Sequence, residues 1–69
     1  MNSTFSETMR HLRETLGWSQ EKLAGKSGIS AAAISHFETG KRLPSFENLI
    51  RLADAFDVSI DRLIGRNHE

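Results

Sequence analysis

The sequence predicts an all-α domain of five short helices around one core. Three observations carry that expectation. Apolar residues recur at steps of three and four along nearly the whole chain, no segment alternates with period two over strand length, and serine–glycine punctuation divides the chain at short intervals. At 69 residues there is room for one small domain, expected to span 1–69, which buries only about 60% of the surface its unfolded chain exposes.

Each element has a local reason. Phe5, Met9, Leu12 and Leu16 make one face of a first helix, which Thr4-Phe5-Ser6-Glu7 opens as a capping box and Gly17 stops. Ser19 caps a second helix from Gln20 to about Lys26, with Leu23 and Ala24 turned inward. Trp18, just ahead of it, reads as an apolar staple packed on the core. Gly25 sits within this helix, where it costs about 1 kcal/mol relative to alanine. Gly28 makes the turn, and Ser30 caps a third helix from Ala31 to about Thr39, with Ile34 and Phe37 inward and Gly40 at its end. Leu43-Pro44 leaves helical geometry. Ser45 caps a fourth helix along Phe46, Leu49, Ile50, Ala53 and Phe56. Ser59 caps a short fifth carrying Ile60, Leu63 and Ile64, closed by Gly65, and residues 66–69 read as a tail.

Composition excludes more than it selects. With 38% apolar and 26% charged residues the chain supports a core, and its longest apolar run, Ala31 to Ile34, is far short of the roughly 18 residues of a membrane span. There is no basic segment leading into an apolar one, so no signal peptide is expected. Asn2-Ser3-Thr4 therefore reads as a chance match to a glycosylation site. The absence of cysteine excludes disulfides and thiolate zinc sites and fits a cytoplasmic protein. Enzyme chemistry lacks its inventory: no Cys nucleophile, no Tyr, and no glycine-rich phosphate loop. His11, His36 and His68 do not cluster as a zinc site requires, so no cofactor or metal is expected. Net charge is zero, but the total hides an asymmetry. Residues 1–45 carry six Lys/Arg against four acids, and residues 46–69 carry three against five. A phosphate backbone responds to the local patch rather than the total.

The stretch from Gln20 to Thr39 is the most specific. A small residue, Ala24, stands where two helices joined by a short turn approach each other. Glycine, Gly28, stands where that turn needs a positive φ, and Ile34 and Phe37 lie one turn apart on the second helix. Around it come Leu16-Gly17-Trp18-Ser19-Gln20-Glu21-Lys22-Leu23-Ala24 and Ile34-Ser35-His36-Phe37-Glu38-Thr39-Gly40-Lys41-Arg42-Leu43-Pro44-Ser45. Leu49-Ile50-Arg51-Leu52-Ala53 and Val58-Ser59-Ile60-Asp61-Arg62-Leu63-Ile64-Gly65 follow. In that order the phrases resemble the Cro and phage-repressor type helix-turn-helix family, the XRE family, over roughly Met9 to Gly65, and the resemblance implies a lambda-repressor-like fold.

The resemblance also implies a function. The protein would be a transcriptional regulator, a repressor, binding duplex DNA as a homodimer with helix 31–39 in the major groove. Base-edge candidates are Ser30, Ala31, Ala32, Ser35 and His36. Phosphate candidates are Ser19, Gln20, Thr39, Lys41 and Arg42, and Gln20 would also brace the recognition helix. Arg13 and Glu38 match a partly buried structural ion pair of the family. Val58, Ile60 and Ile64 would meet their copies near the two-fold axis. The chain departs from the family pattern at Ala31, Ala32 and Ala33, where Gln, Arg or Asn is frequent. Direct readout is therefore thin, and DNA shape carries more of the specificity. His36 stays open between a DNA contact, a solvated helix residue and a metal ligand. The alternatives in other classes are an antitoxin-type module whose partner is a toxin protein, a controller protein of a restriction–modification system, and a domain excised from a longer repressor.

Overall fold

In a computed structural model, residues 4–65 are described. They form α1 (Thr4–Thr15), α2 (Gln20–Ser27), α3 (Ala31–Thr39), α4 (Phe46–Phe56) and α5 (Ile60–Leu63), with no strand among the described residues. Four serines cap the last four helices in the same way. The side-chain oxygens of Ser19, Ser30, Ser45 and Ser59 accept from the backbone N–H groups of Lys22, Ala33, Asn48 and Arg62 at 3.0–3.2 Å. Each bond satisfies one of the free donors that a helix start leaves open, worth about 1 kcal/mol apiece. The tail assigned to 66–69 lies outside the described residues.

The core consists of Met9, Leu12, Leu23, Ile29, Ile34, Phe37, Leu52, Ala53, Phe56 and Leu63, drawn from all five helices and the α2–α3 turn. α3 packs on α1 and α2, α4 on α2 and α5, and α5 closes back on α1. Trp18 does pack on this core, through a stack on Phe56 with ring centroids 5.9 Å apart. The Lys26 ammonium covers the Trp18 ring, 5.2 Å from its centroid.

Three expectations are corrected. Thr4 is the first residue of α1 and does not stand ahead of it. Leu16 lies beyond the end of α1 and is 48% exposed, because the chain turns at Gly17 (φ +73°) before a fourth apolar step can reach the core. Phe46 and Ile50 were expected on the inner face of α4, but the buried stripe is Leu52, Ala53 and Phe56 with Leu49 beside it. At 100° per residue that stripe is a single narrow arc, and positions 46 and 50 fall at its edge.

Candidate nucleic-acid interface

The turn between α2 and α3 is built from three residues. Gly28 adopts φ +76°, and its N–H donates to the Ala24 carbonyl at 2.9 Å. The buried Ser27 hydroxyl donates to the Leu23 carbonyl at 2.8 Å and accepts from the Ile29 N–H at 3.3 Å. Ile29 then plugs the core, so the turn is anchored from both sides. An Arg51 guanidinium N–H reaches the Gly28 carbonyl from α4 at 3.5 Å.

α3 is held at its far end by α1. Arg13 forks onto Glu38, with Nε donating to Oε2 at 2.7 Å and a terminal nitrogen donating to Oε1 at 3.0 Å. Its other terminal nitrogen donates to the Trp18 carbonyl at 2.8 Å. The side chains are only 13% and 4% exposed, so the attraction acts in a poorly screened setting. The hydrogen bond to Glu38 pushes the Arg13 pKa up, against a smaller lowering from burial. Gln20 adds a third donor, its amide N–H reaching Glu38 Oε1 at 3.2 Å. That bond braces α2 against α3 and leaves the second amide hydrogen for an outside acceptor. A further tie was not foreseen. The buried Ser6 hydroxyl donates to the Phe37 carbonyl at 2.7 Å, while Phe5 sets its ring edge-on to Phe37. Ser6 stands three residues before Met9, so its place on the inner face was readable from helical spacing.

With both ends fixed, one side of α3 is left uncovered. Ala32 is exposed, and Ala31, Ser35 and His36 are half-buried, whereas Ala33 packs toward the core. The oxygens of Ser19 and Ser30 each accept one cap bond, which leaves the hydroxyl proton and a second lone pair for an outside group. The Thr39 hydroxyl donates to the His36 carbonyl at 3.3 Å. The Nδ1 of His36 is buried with no hydrogen-bond partner, which leaves Nε2 as the ring atom able to bond an outside group. No group of three or more metal-ligating side chains occurs among the described residues.

The segment after α3 carries exposed positive charge. The Lys41 and Arg42 N–H groups donate to the His36 carbonyl at 3.0 and 3.4 Å, tying this loop to the last turn of α3. Both side chains are exposed, and neither forms an ion pair with the described residues. Val58, Ile60 and Ile64 are each half-buried, and the first two pack against the protein's own core.

Two capped helices around a left-handed glycine, with the second helix clamped at its back and open at its front, define a helix-turn-helix domain of the phage-repressor type. A family model described as helix-turn-helix matches residues 9–63, and the chain belongs to this family, the XRE type. The cryptic phage CTXphi transcriptional repressor RstR of Vibrio cholerae is 38% identical over 60 residues, covering 87% of this chain and 54% of RstR. The transcriptional regulator AnsR of Bacillus subtilis is 36% identical over 63 residues, covering 91% of this chain and 54% of AnsR. The chain thus spans about half the length of these curated relatives. Among solved structures, the P22 c2 repressor in complex with a synthetic operator superposes with a TM-score of 0.87 at 32% identity, covering 96% of this chain and all of that one. The restriction–modification controller C.AhdI of Aeromonas hydrophila superposes with a TM-score of 0.84 at 36% identity, covering 88% and 92%. None of the described helices is long and apolar enough to cross a membrane.

Proposed function

We propose that the protein is a DNA-binding transcriptional regulator, a repressor, that lays α3 in the major groove of duplex DNA and acts as a homodimer. The observation that carries this reading is the uncovered front of α3 flanked by Lys41 and Arg42, two exposed cations unpaired among the described residues. A clamped helix presents a fixed face, and the cations hold it against phosphates without themselves reading sequence. Ser19 and Gln20 at the start of α2, where backbone N–H groups remain free, add phosphate contacts. Ser30, Ala31, Ala32, Ser35 and His36 face base edges. Homology supports the role, since RstR is a repressor and the P22 c2 repressor is seen on an operator. A homodimer follows because one helix with such short side chains contacts too few bases to be selective.

A second reading, a controller of a restriction–modification system, has the support of the likeness to C.AhdI, which is 36% identical and superposes with a TM-score of 0.84. The toxin-partner alternative has no observation of its own.

The test is the salt dependence of binding. Lys41→Ala with Arg42→Ala should weaken binding to all duplexes alike and lower the slope of log K against log salt by about 0.9 per lost contact. Unchanged affinity and slope would show that this loop does not face DNA.

A further inference from the structure

The open front of α3 offers little that tells one base from another. Ala31 and Ala32 carry no polar side-chain atom, and Ser30 and Ser35 end in hydroxyls. A hydroxyl donates or accepts as its surroundings ask, so it tolerates either kind of base edge. His36 alone presents a ring atom whose role is set in advance, by where the imidazole proton sits.

The burial of Nδ1 fixes that proton. Nδ1 of His36 is closed off from solvent and meets neither a donor nor an acceptor. A proton there would make a buried N–H with no acceptor, the kind of orphan that folded proteins hold most rarely. The neutral ring therefore keeps its hydrogen on Nε2, which is also the form that free histidine prefers in water. A charged ring carries a hydrogen on both nitrogens, so Nε2 donates in that form too. The root of the side chain is held as well. The His36 carbonyl accepts from the Thr39 hydroxyl at 3.3 Å and from the N–H groups of Lys41 and Arg42 at 3.0 and 3.4 Å. Aromatic side chains on a helix lean back over the preceding turn, here toward Ala32 and away from the Lys41–Arg42 loop. Ala32 is small and exposed, and leaves that direction open to the groove.

We propose that His36 sets the base selectivity of this domain as a fixed donor, its Nε2–H bonding N7 of a purine and rejecting cytosine. The proposal rests on the DNA reading above and names the acceptor that α3 meets. In the major groove guanine offers N7 and O6 and adenine offers N7, whereas cytosine turns its N4 amino donor outward. Against cytosine two donors face each other and neither bond is made. Thymine sets its C5 methyl group in the place that N7 fills when the base pair is reversed. One N–H makes a single bond, and N7 is common to both purines. The ring therefore selects purine without separating guanine from adenine.

Two measurements test this. A long-range proton–nitrogen spectrum of the isotope-labelled free protein, taken at mildly alkaline pH, should show the His36 hydrogen on Nε2. A hydrogen on Nδ1 would overturn the proposal before any DNA is added. Binding is then measured on selected duplexes in which each purine in turn is replaced by its 7-deaza analogue, which pairs normally but has C–H in place of N7. At one position per half-site the replacement should weaken the wild type on the order of 5-fold and leave His36→Ala unaffected. Cytosine at that position should weaken the wild type roughly 10–100-fold. His36→Gln, whose amide both donates and accepts, should shift the preference there to adenine. A wild type indifferent to every 7-deaza purine, or losses that persist in His36→Ala, would overturn the proposal. So would coupling of His36 to a neutral methylphosphonate linkage instead, which would put the ring on the backbone. If no duplex is bound at all, the DNA reading fails and the purine contact with it, while the nitrogen spectrum still decides the proton on its own.

Discussion

Replacing Arg13 with alanine tests the clamp behind α3. The substitution removes three hydrogen bonds together: two to Glu38, at 2.7 and 3.0 Å, and one to the Trp18 carbonyl at 2.8 Å. It leaves a carboxylate that is 4% exposed with Gln20, at 3.2 Å, as its remaining side-chain donor. Breaking a buried pair from one side costs about 3–5 kcal/mol, chiefly because the surviving charge stays buried. A domain of 69 residues has a total stability of only about 3–10 kcal/mol. Arg13→Ala should therefore lose about a third or more of the stability of the folded domain. Arg13→Met with Glu38→Leu, which removes both charges and keeps volume, should recover most of the loss. Urea unfolding followed by circular dichroism and by Trp18 fluorescence measures each variant, and the cycle gives the coupling. A loss under about 1 kcal/mol in Arg13→Ala with an unchanged m-value would refute the reasoning. The raised pKa of Arg13 sets the pH behaviour of its half of the pair. A cation whose folded pKa lies above its unfolded value contributes fully below the unfolded value and loses that contribution only as pH rises through the folded one, so Arg13 imposes no slope near neutrality.

Gly25→Ala should stabilise the protein by about 1 kcal/mol, since the position is helical and an added Cβ meets nothing within 4 Å; thermal unfolding checks it. Gly28→Ala should cost about 1–2 kcal/mol in the same assay, because the contact there is ordinary but φ is +76°. Ala32→Gln, on an exposed position of α3, should change which bases are preferred without lowering the melting temperature, as read by site selection. His36→Ala should relax preference at one base per half-site by up to about 1–3 kcal/mol if Nε2 meets a base edge. It should instead weaken all sites evenly if Nε2 meets phosphate.

The helices were legible because their signals are local. A capping serine ahead of four of them and a glycine after four act through neighbouring residues alone, so α3 was bounded as observed and α2 within one residue. The inner face of α4 was less legible. Phe46 and Ile50 fit the helical period as well as Leu52 does, and only packing against α2 and α5 decides which arc turns inward. Leu16 failed for a similar reason, since periodicity continues one step past the turn that ends the helix. At the site, the Arg13–Glu38 fork was readable from its family positions. The Ser6 tie to Phe37 spans 31 residues, and no local pattern announces which distant carbonyl a buried hydroxyl will meet. The orphaned Nδ1 of His36 likewise depends on what surrounds the ring in three dimensions.

The central claim, that the open front of α3 with the Lys41–Arg42 loop is a DNA-reading face used in pairs, is tested most directly by selection from random duplexes with the wild-type chain. The account predicts enrichment of two short half-sites in inverted repeat, their centres about one helical turn or a multiple of it apart. Recovery of a single half-site would contradict the pairing, and no enrichment over the starting pool would contradict the claim as a whole.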